Sequence, residues 1–116
     1  MSNERQEQIK IFDWLSITPY RKHVFAIPNE GRRSVTMGAL MKKAGLRPGC
    51  SDIFVAVARK GYHGLFLELK YGKNTARPSQ MAFLVDMALQ GYATTVQTGA
   101  DNAINYIADY LGINGI

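Results

Sequence analysis

Two carboxylates and an amine are the residues of this chain best suited to chemistry. Asp52 opens the apolar run "DIFVAVAR", and Glu68 and Lys70 lie two apart in "GLFLELKYGKN". In an extended strand, successive side chains alternate between faces. Leu65, Leu67 and Leu69 then point one way, and Phe66, Glu68 and Lys70 the other. Three leucines make a core face, whereas a charge on a covered face costs several kcal/mol unless it is paired or bound to something. Two carboxylates brought together can hold a hard divalent cation such as Mg2+, which takes oxygen ligands and keeps several waters. A lysine beside them can hold or deprotonate an attacking water and offset negative charge in the transition state.

That chemistry requires the two runs to be neighbours. "NERQEQIKIFDWLSI" has Ile9, Phe12 and Leu15 at helical spacing, widened by Ile11 and Trp14, and Pro19 ends it. "HVFAIP" reads as a short strand, "NEGRRSVTMG" as a loop, and "ALMKKAGL" as a short helix stopped by Gly45. The turn "RPGCSD" leads into the Asp52 strand, whose Ile53, Val55 and Val57 share one face, and "KGYHG" has the composition of a hairpin connection. Counting outward from Gly61–Tyr62 sets Asp52 across from about residues 70–72. Pro78 starts a helix through "SQMAFLVDMALQ" that ends at Gly91, "YATTVQT" is a strand, and "DNAINYIADYLG" is an amphipathic helix with Ile104, Ile107 and Leu111 in line. A hairpin followed by a strand-helix-strand crossover predicts an α/β (α+β) fold with a central mixed sheet flanked by helices. The two acids and the lysine converge at the sheet end away from the hairpin turn.

The 116 residues suit one domain, 1–116, and a hydrophobic fraction of 47% suits a globular core. Fourteen Lys+Arg against nine Asp+Glu give a net charge of +5, which favours a polyanionic partner such as nucleic acid. The single cysteine, Cys50, excludes an internal disulfide and fits a reducing compartment. The polar start "MSNERQEQIK" is no signal peptide, and no apolar run approaches the roughly 18 residues that cross a bilayer, so the expectation is a cytoplasmic protein with no membrane partner.

The flanking residues narrow the reading. "GLRPGCSDIFV", "GYHGLFLELKYG", "RPSQMAFLVDMALQGY", the "YIADYL" helix and the opening "ERQEQIKIFDWL" together resemble the virus-type replication-repair nuclease (VRR-NUC) family of the PD-(D/E)xK superfamily, over nearly the whole chain. The resemblance implies a restriction-endonuclease-like core and a Mg2+-dependent phosphodiesterase acting on DNA, with Mn2+ able to substitute. It further implies a small stand-alone enzyme of phage or bacterial type, a homodimer that cuts branched DNA at Holliday junctions. The family's carboxylate motif falls on Asp52 and Glu68, its catalytic lysine on Lys70, its following glutamine on Gln80, and its N-terminal helical glutamate on Glu4, with Glu7 in reserve. The departure is Ser51, where the family usually has proline; Pro48 and Gly49 still shape that turn.

Plainer readings stand beside these. Glu68 and Lys70 could form a surface ion pair worth about 0–1 kcal/mol. Asp52 could cap its turn, Gln80 its helix, and Glu4 could simply be solvated. Cys50 has no partners for a triad or zinc set, and His23 and His63 lack metal-ligand spacing. Arg32, Arg33, Lys42, Lys43 and Arg47 lie in a stretch without acids, and Lys73 and Arg77 follow the Glu-x-Lys strand. All seven are expected to meet a phosphate backbone, which positions nucleic acid without reading its bases. The rival classes are a flap or single-strand nuclease, a non-catalytic DNA-binding protein, and an interaction module of a replication complex.

Overall fold

The computed structural model describes residues 3–28 and 35–116. Along the described residues run α1 (Glu4–Leu15), β1 (Val24–Ala26), α2 (Val35–Lys43), β2 (Ile53–Val55), β3 (Leu65–Lys70), α3 (Pro78–Leu89), β4 (Ala93–Thr98) and α4 (Ala100–Leu111). The four strands form one mixed sheet in the order β1-β2-β3-β4: the first two pairings are antiparallel, and β3 with β4 is parallel, joined through α3. No helix among the described residues is long and apolar enough to cross a membrane.

The leucine face is the core. Leu65, Leu67 and Leu69 are fully buried beside Ile53 and Val55, under Ile11 and Leu15 of α1 and Ile104, Ile107 and Leu111 of α4. Each such side chain contributes about 1.5–3 kcal/mol on burial. The opposite face is aromatic and is covered by α3. Phe66 stacks against Phe54 at 4.5 Å and meets Tyr92 and Phe83 edge-on at 5.1 and 5.2 Å between ring centroids. Gly64 allows this packing, because a Cβ there would stand 2.8 Å from the Val55 carbonyl and 2.9 Å from the Phe54 ring.

Three expectations need correction. Helix α2 starts at Val35, so the last four residues of the expected loop "NEGRRSVTMG" are helical. On α1 the buried line is Glu7, Ile11 and Leu15, four residues apart, while Ile9 is exposed. The hairpin register also differs. Ile53 pairs with Leu67 and Val55 with Leu65, so Asp52 faces Glu68 rather than residues 70–72. The turn is tighter and earlier than its glycines suggest: Arg59 and Tyr62 exchange backbone hydrogen bonds around Lys60 and Gly61, both at positive φ. Between that bridge and the ladder the first arm holds three residues, 56–58, and the second two, 63–64. The extra residue shifts the register.

Candidate active site

The register brings the two carboxylates together. Asp52 is anchored to β3 twice: its N–H donates to the Leu67 carbonyl (3.2 Å), and its Oδ2 accepts the Leu69 N–H (2.7 Å). The turn before it is held against the start of α3, where Gly49 (φ 87°) lies so close that a Cβ would stand 3.1 Å from the Ser79 carbonyl oxygen. Glu68 is 1% exposed, and its carboxyl lies against that of Asp52. Its Oε2 stands 3.4 Å from the Lys70 Nζ, longer than the roughly 2.7–2.9 Å of a strong charge-assisted hydrogen bond. Lys70 is itself buried.

One ammonium therefore faces two carboxylates. Burial first, and then the neighbouring Asp52 charge, push the Glu68 carboxyl up to about 8, with Lys70 pulling the other way. Glu68 Oε1 is buried with no hydrogen-bond partner among the described residues. Such an oxygen is costly to leave unmade. A divalent cation would supply what is missing, and paired carboxylates suit Mg2+ or Mn2+. Among the described residues no group of three or more His, Cys, Asp or Glu surrounds one point, so such an ion would complete its shell with water and substrate oxygens.

Glu4, in the first turn of α1, borders two open cavities. One, of about 480 Å3, is lined also by Lys70, Lys73, Asn74, Thr75 and Arg77. The other, of about 540 Å3, is lined also by Arg5, Gln8, Ala26, Ile27, Pro28 and Asp52. Glu4 thus lines both the cavity that Lys70 lines and the cavity that Asp52 lines. Glu7 faces elsewhere. Its Oε1 accepts the Ala100 N–H at the start of α4 (3.1 Å), and its Oε2 pairs with Lys10 (2.8 Å). In the same loop Gly99 N–H donates to the Lys70 carbonyl (2.9 Å), so α1, α4 and the end of β3 are tied together. Glu7→Ala strands the buried Ala100 N–H and is expected to cost about 1–2 kcal/mol in a denaturant titration. Glu7→Gln, which keeps an acceptor, should cost less.

Gln80 is buried, and its Oε1 accepts the Arg77 N–H (2.8 Å), which gives the capping half of its expected role. Of the basic residues, Lys73 and Arg77 line the cavity beside Lys70. Lys42 and Lys43 end α2, and Arg47 donates to the Lys42 and Leu46 carbonyls; none of the three lines either cavity. Arg32 and Arg33 lie outside the described residues. Glu7 as a helix cap, and Asn74 and Thr75 as cavity walls, were missed by sequence reasoning. For Glu7 a signal existed: it falls four residues before Ile11 and eight before Leu15, on the buried line of α1, where an acid must find a donor.

A mixed sheet between helices, with paired acids and a lysine at one end, defines an α/β nuclease-type fold. No protein-family model matches the chain, and none of the curated proteins does. A solved structure described as a "VRR_NUC domain protein" superposes with a TM-score of 0.86 at 26% identity, covering 99% of this chain and 93% of that one. The chain thus shares the fold of a VRR-NUC domain protein over nearly its whole length, which supports a domain of the nuclease type.

Proposed function

We propose that the chain is a metal-dependent DNA endonuclease that hydrolyses phosphodiester bonds in branched DNA, acting on Holliday junctions as a homodimer. The observation that carries this reading is a buried carboxylate pair, one oxygen of which has no hydrogen-bond donor among the described residues, beside a buried lysine and a basic cavity. Asp52 and Glu68 are the residues that would hold the ion. An ion held there would supply Lewis-acid polarisation of the scissile phosphate and a water of lowered pKa. Lys70, kept near Glu68 by the sheet, offers an ammonium to orient the attacking water and to offset the charge that builds on the phosphate. Glu4, from α1, is placed to accept a hydrogen bond from water on the open side. Gln80 holds the Arg77 backbone and so positions a side chain that reaches the same cavity.

Lys73 and Arg77 carry the phosphate backbone across that cavity. Contacts of this kind favour a DNA shape over a base sequence, and a two-fold junction calls for two matched sites, which a C2 dimer provides.

The test is incubation with a labelled four-way junction, a flap and single-stranded DNA, each with Mg2+, Mn2+ or EDTA. Preferred cleavage of the junction, abolished by EDTA, is the expected result. Preferred cleavage of the flap or single strand would replace the junction reading, and binding without cleavage would favour a DNA-binding protein. Lys73→Ala with Arg77→Ala should weaken binding in a salt-dependent way and leave cleavage at saturating protein within about tenfold.

A further inference from the structure

The surface formed by α3 and β4 is built differently from the rest of the chain. Its outward side chains on α3, Met81, Val85 and Leu89, recur every four residues and are 45%, 57% and 78% exposed. Phe83 and Leu84 point inward, so α3 is apolar on both sides, the pattern of a helix covered on both sides. An apolar groove of about 430 Å3 runs between this stripe and Thr94, Thr95 and Val96 of β4.

β4 is an edge strand: β3 lies on one side, and no strand among the described residues pairs with the other. Solitary edges are normally protected by charge, proline or a bulge. "ATTVQT" has neither charge nor proline, and its pairing with β3 runs unbroken from Ala93 to Thr98.

The electrostatics select the occupant. The 21 residues from Pro78 to Thr98 hold one charged side chain, Asp86, in a chain with 14 Lys and Arg. Two copies at +5 repel each other over most of their surface, and this face brings no cation of one copy against a cation of the other. It repels no phosphate either, but it offers none of the cations that a nucleic acid needs. A two-fold axis through β4 would set two β4 strands antiparallel, satisfy both edges with one sequence, and lay stripe against stripe. A stable interface uses roughly 20–30 residues a side, so a partner copy would have to take most of this segment's free surface.

We propose that a second copy of this chain docks here, β4 edge to β4 edge, with Met81, Val85 and Leu89 of the two α3 helices in contact. This deepens the homodimer part of the proposed function by naming the surface, and it rests on that part. The test is sedimentation velocity without DNA over a concentration series, on the wild type and on Val85→Arg and Leu89→Lys. Hydrogen exchange of the β4 amides is followed in parallel. Both substituted side chains are exposed in the single chain, so unchanged thermal melting at low concentration is the fold control, and either variant that passes it serves.

The expected result is a wild-type dimer of twice 12.9 kDa, a dissociation constant weakened roughly 100-fold in the variants, and β4 protection that rises with concentration in the wild type only. A wild-type dimer that the variants leave intact, with unprotected β4, overturns this surface and keeps the homodimer. A wild type that stays monomeric at every concentration overturns both. Neither outcome touches the nuclease reading, which the cleavage assay tests separately.

Discussion

A Glu68→Gln protein melts higher than the wild type when divalent ions are absent, and cuts no DNA when they are present. Both effects follow from the same carboxyl. Glu68 is buried against Asp52, with one oxygen lacking a donor among the described residues, and without a cation to offset them burial and Asp52 hold its titration up near 8. A glutamine carries no charge, and its amide can donate to Asp52, so the repulsion is replaced by a hydrogen bond.

The sign of the pH dependence follows. A carboxyl whose value is raised in the folded state contributes stability that is complete below its ordinary value near 4.5 and is lost as pH rises through about 8. Metal-free wild type should therefore lose stability between those limits, by an amount on the order of a few kcal/mol, and the variant should lack that slope. Differential scanning calorimetry in EDTA across this range measures it. With saturating Mg2+ the order reverses, because a ligand that binds only the folded state stabilises it and the variant has lost half of its carboxylate pair. Cleavage should fall roughly 10^3-fold or more, the rate equivalent of the several kcal/mol that a bound cation supplies.

Lys70→Met separates the chemistry from the metal. The lysine stands 3.4 Å from Glu68 at the wall of the basic cavity, and a methionine of similar length keeps the packing of this buried position without the charge. Single-turnover cleavage is expected to drop about 10^2–10^3-fold, as when one preorganised donor is removed from a developing charge. Binding of Mn2+ should persist, since both carboxylates remain. The loss belongs in kcat more than in KM, because the charge that Lys70 answers is largest in the transition state. Lysine also draws the Glu68 titration downward, so its removal should carry the metal-free pH slope to higher pH. A Lys70→Met protein that cut DNA normally would leave Lys70 as a structural partner of Glu68 only.

Much of this was legible in the residues themselves. The alternation of "LFLELK" announced one apolar face, which is buried, and an opposite face on which Glu68 and Lys70 stand side by side. The order of helices and strands followed from Pro19, Gly45, Pro78 and Gly91, because these residues restrict the backbone whatever surrounds them. Register was harder. It depends on one extra residue in the arm 56–58, between the Arg59–Tyr62 bridge and the ladder, a count that the residue types of that arm do not announce. The correction strengthens the site, since it sets Asp52 opposite Glu68. Glu4 and Glu7 could not be ranked from composition, as both open the same helix. The distinction lies in where each stands: at the start of α4 for Glu7, and in the wall of the cavity beside Lys70 for Glu4.

The central claim is that Asp52, Glu68 and Lys70 form a site at which a divalent ion supports phosphodiester hydrolysis. Single-turnover cleavage of a labelled four-way junction, by wild type and Glu68→Gln side by side in Mg2+ and in EDTA, tests it most directly. The account predicts cleavage by the wild type in Mg2+ alone and none in the other three reactions. Cleavage by the wild type in EDTA, or by Glu68→Gln in Mg2+ at the wild-type rate, would contradict it.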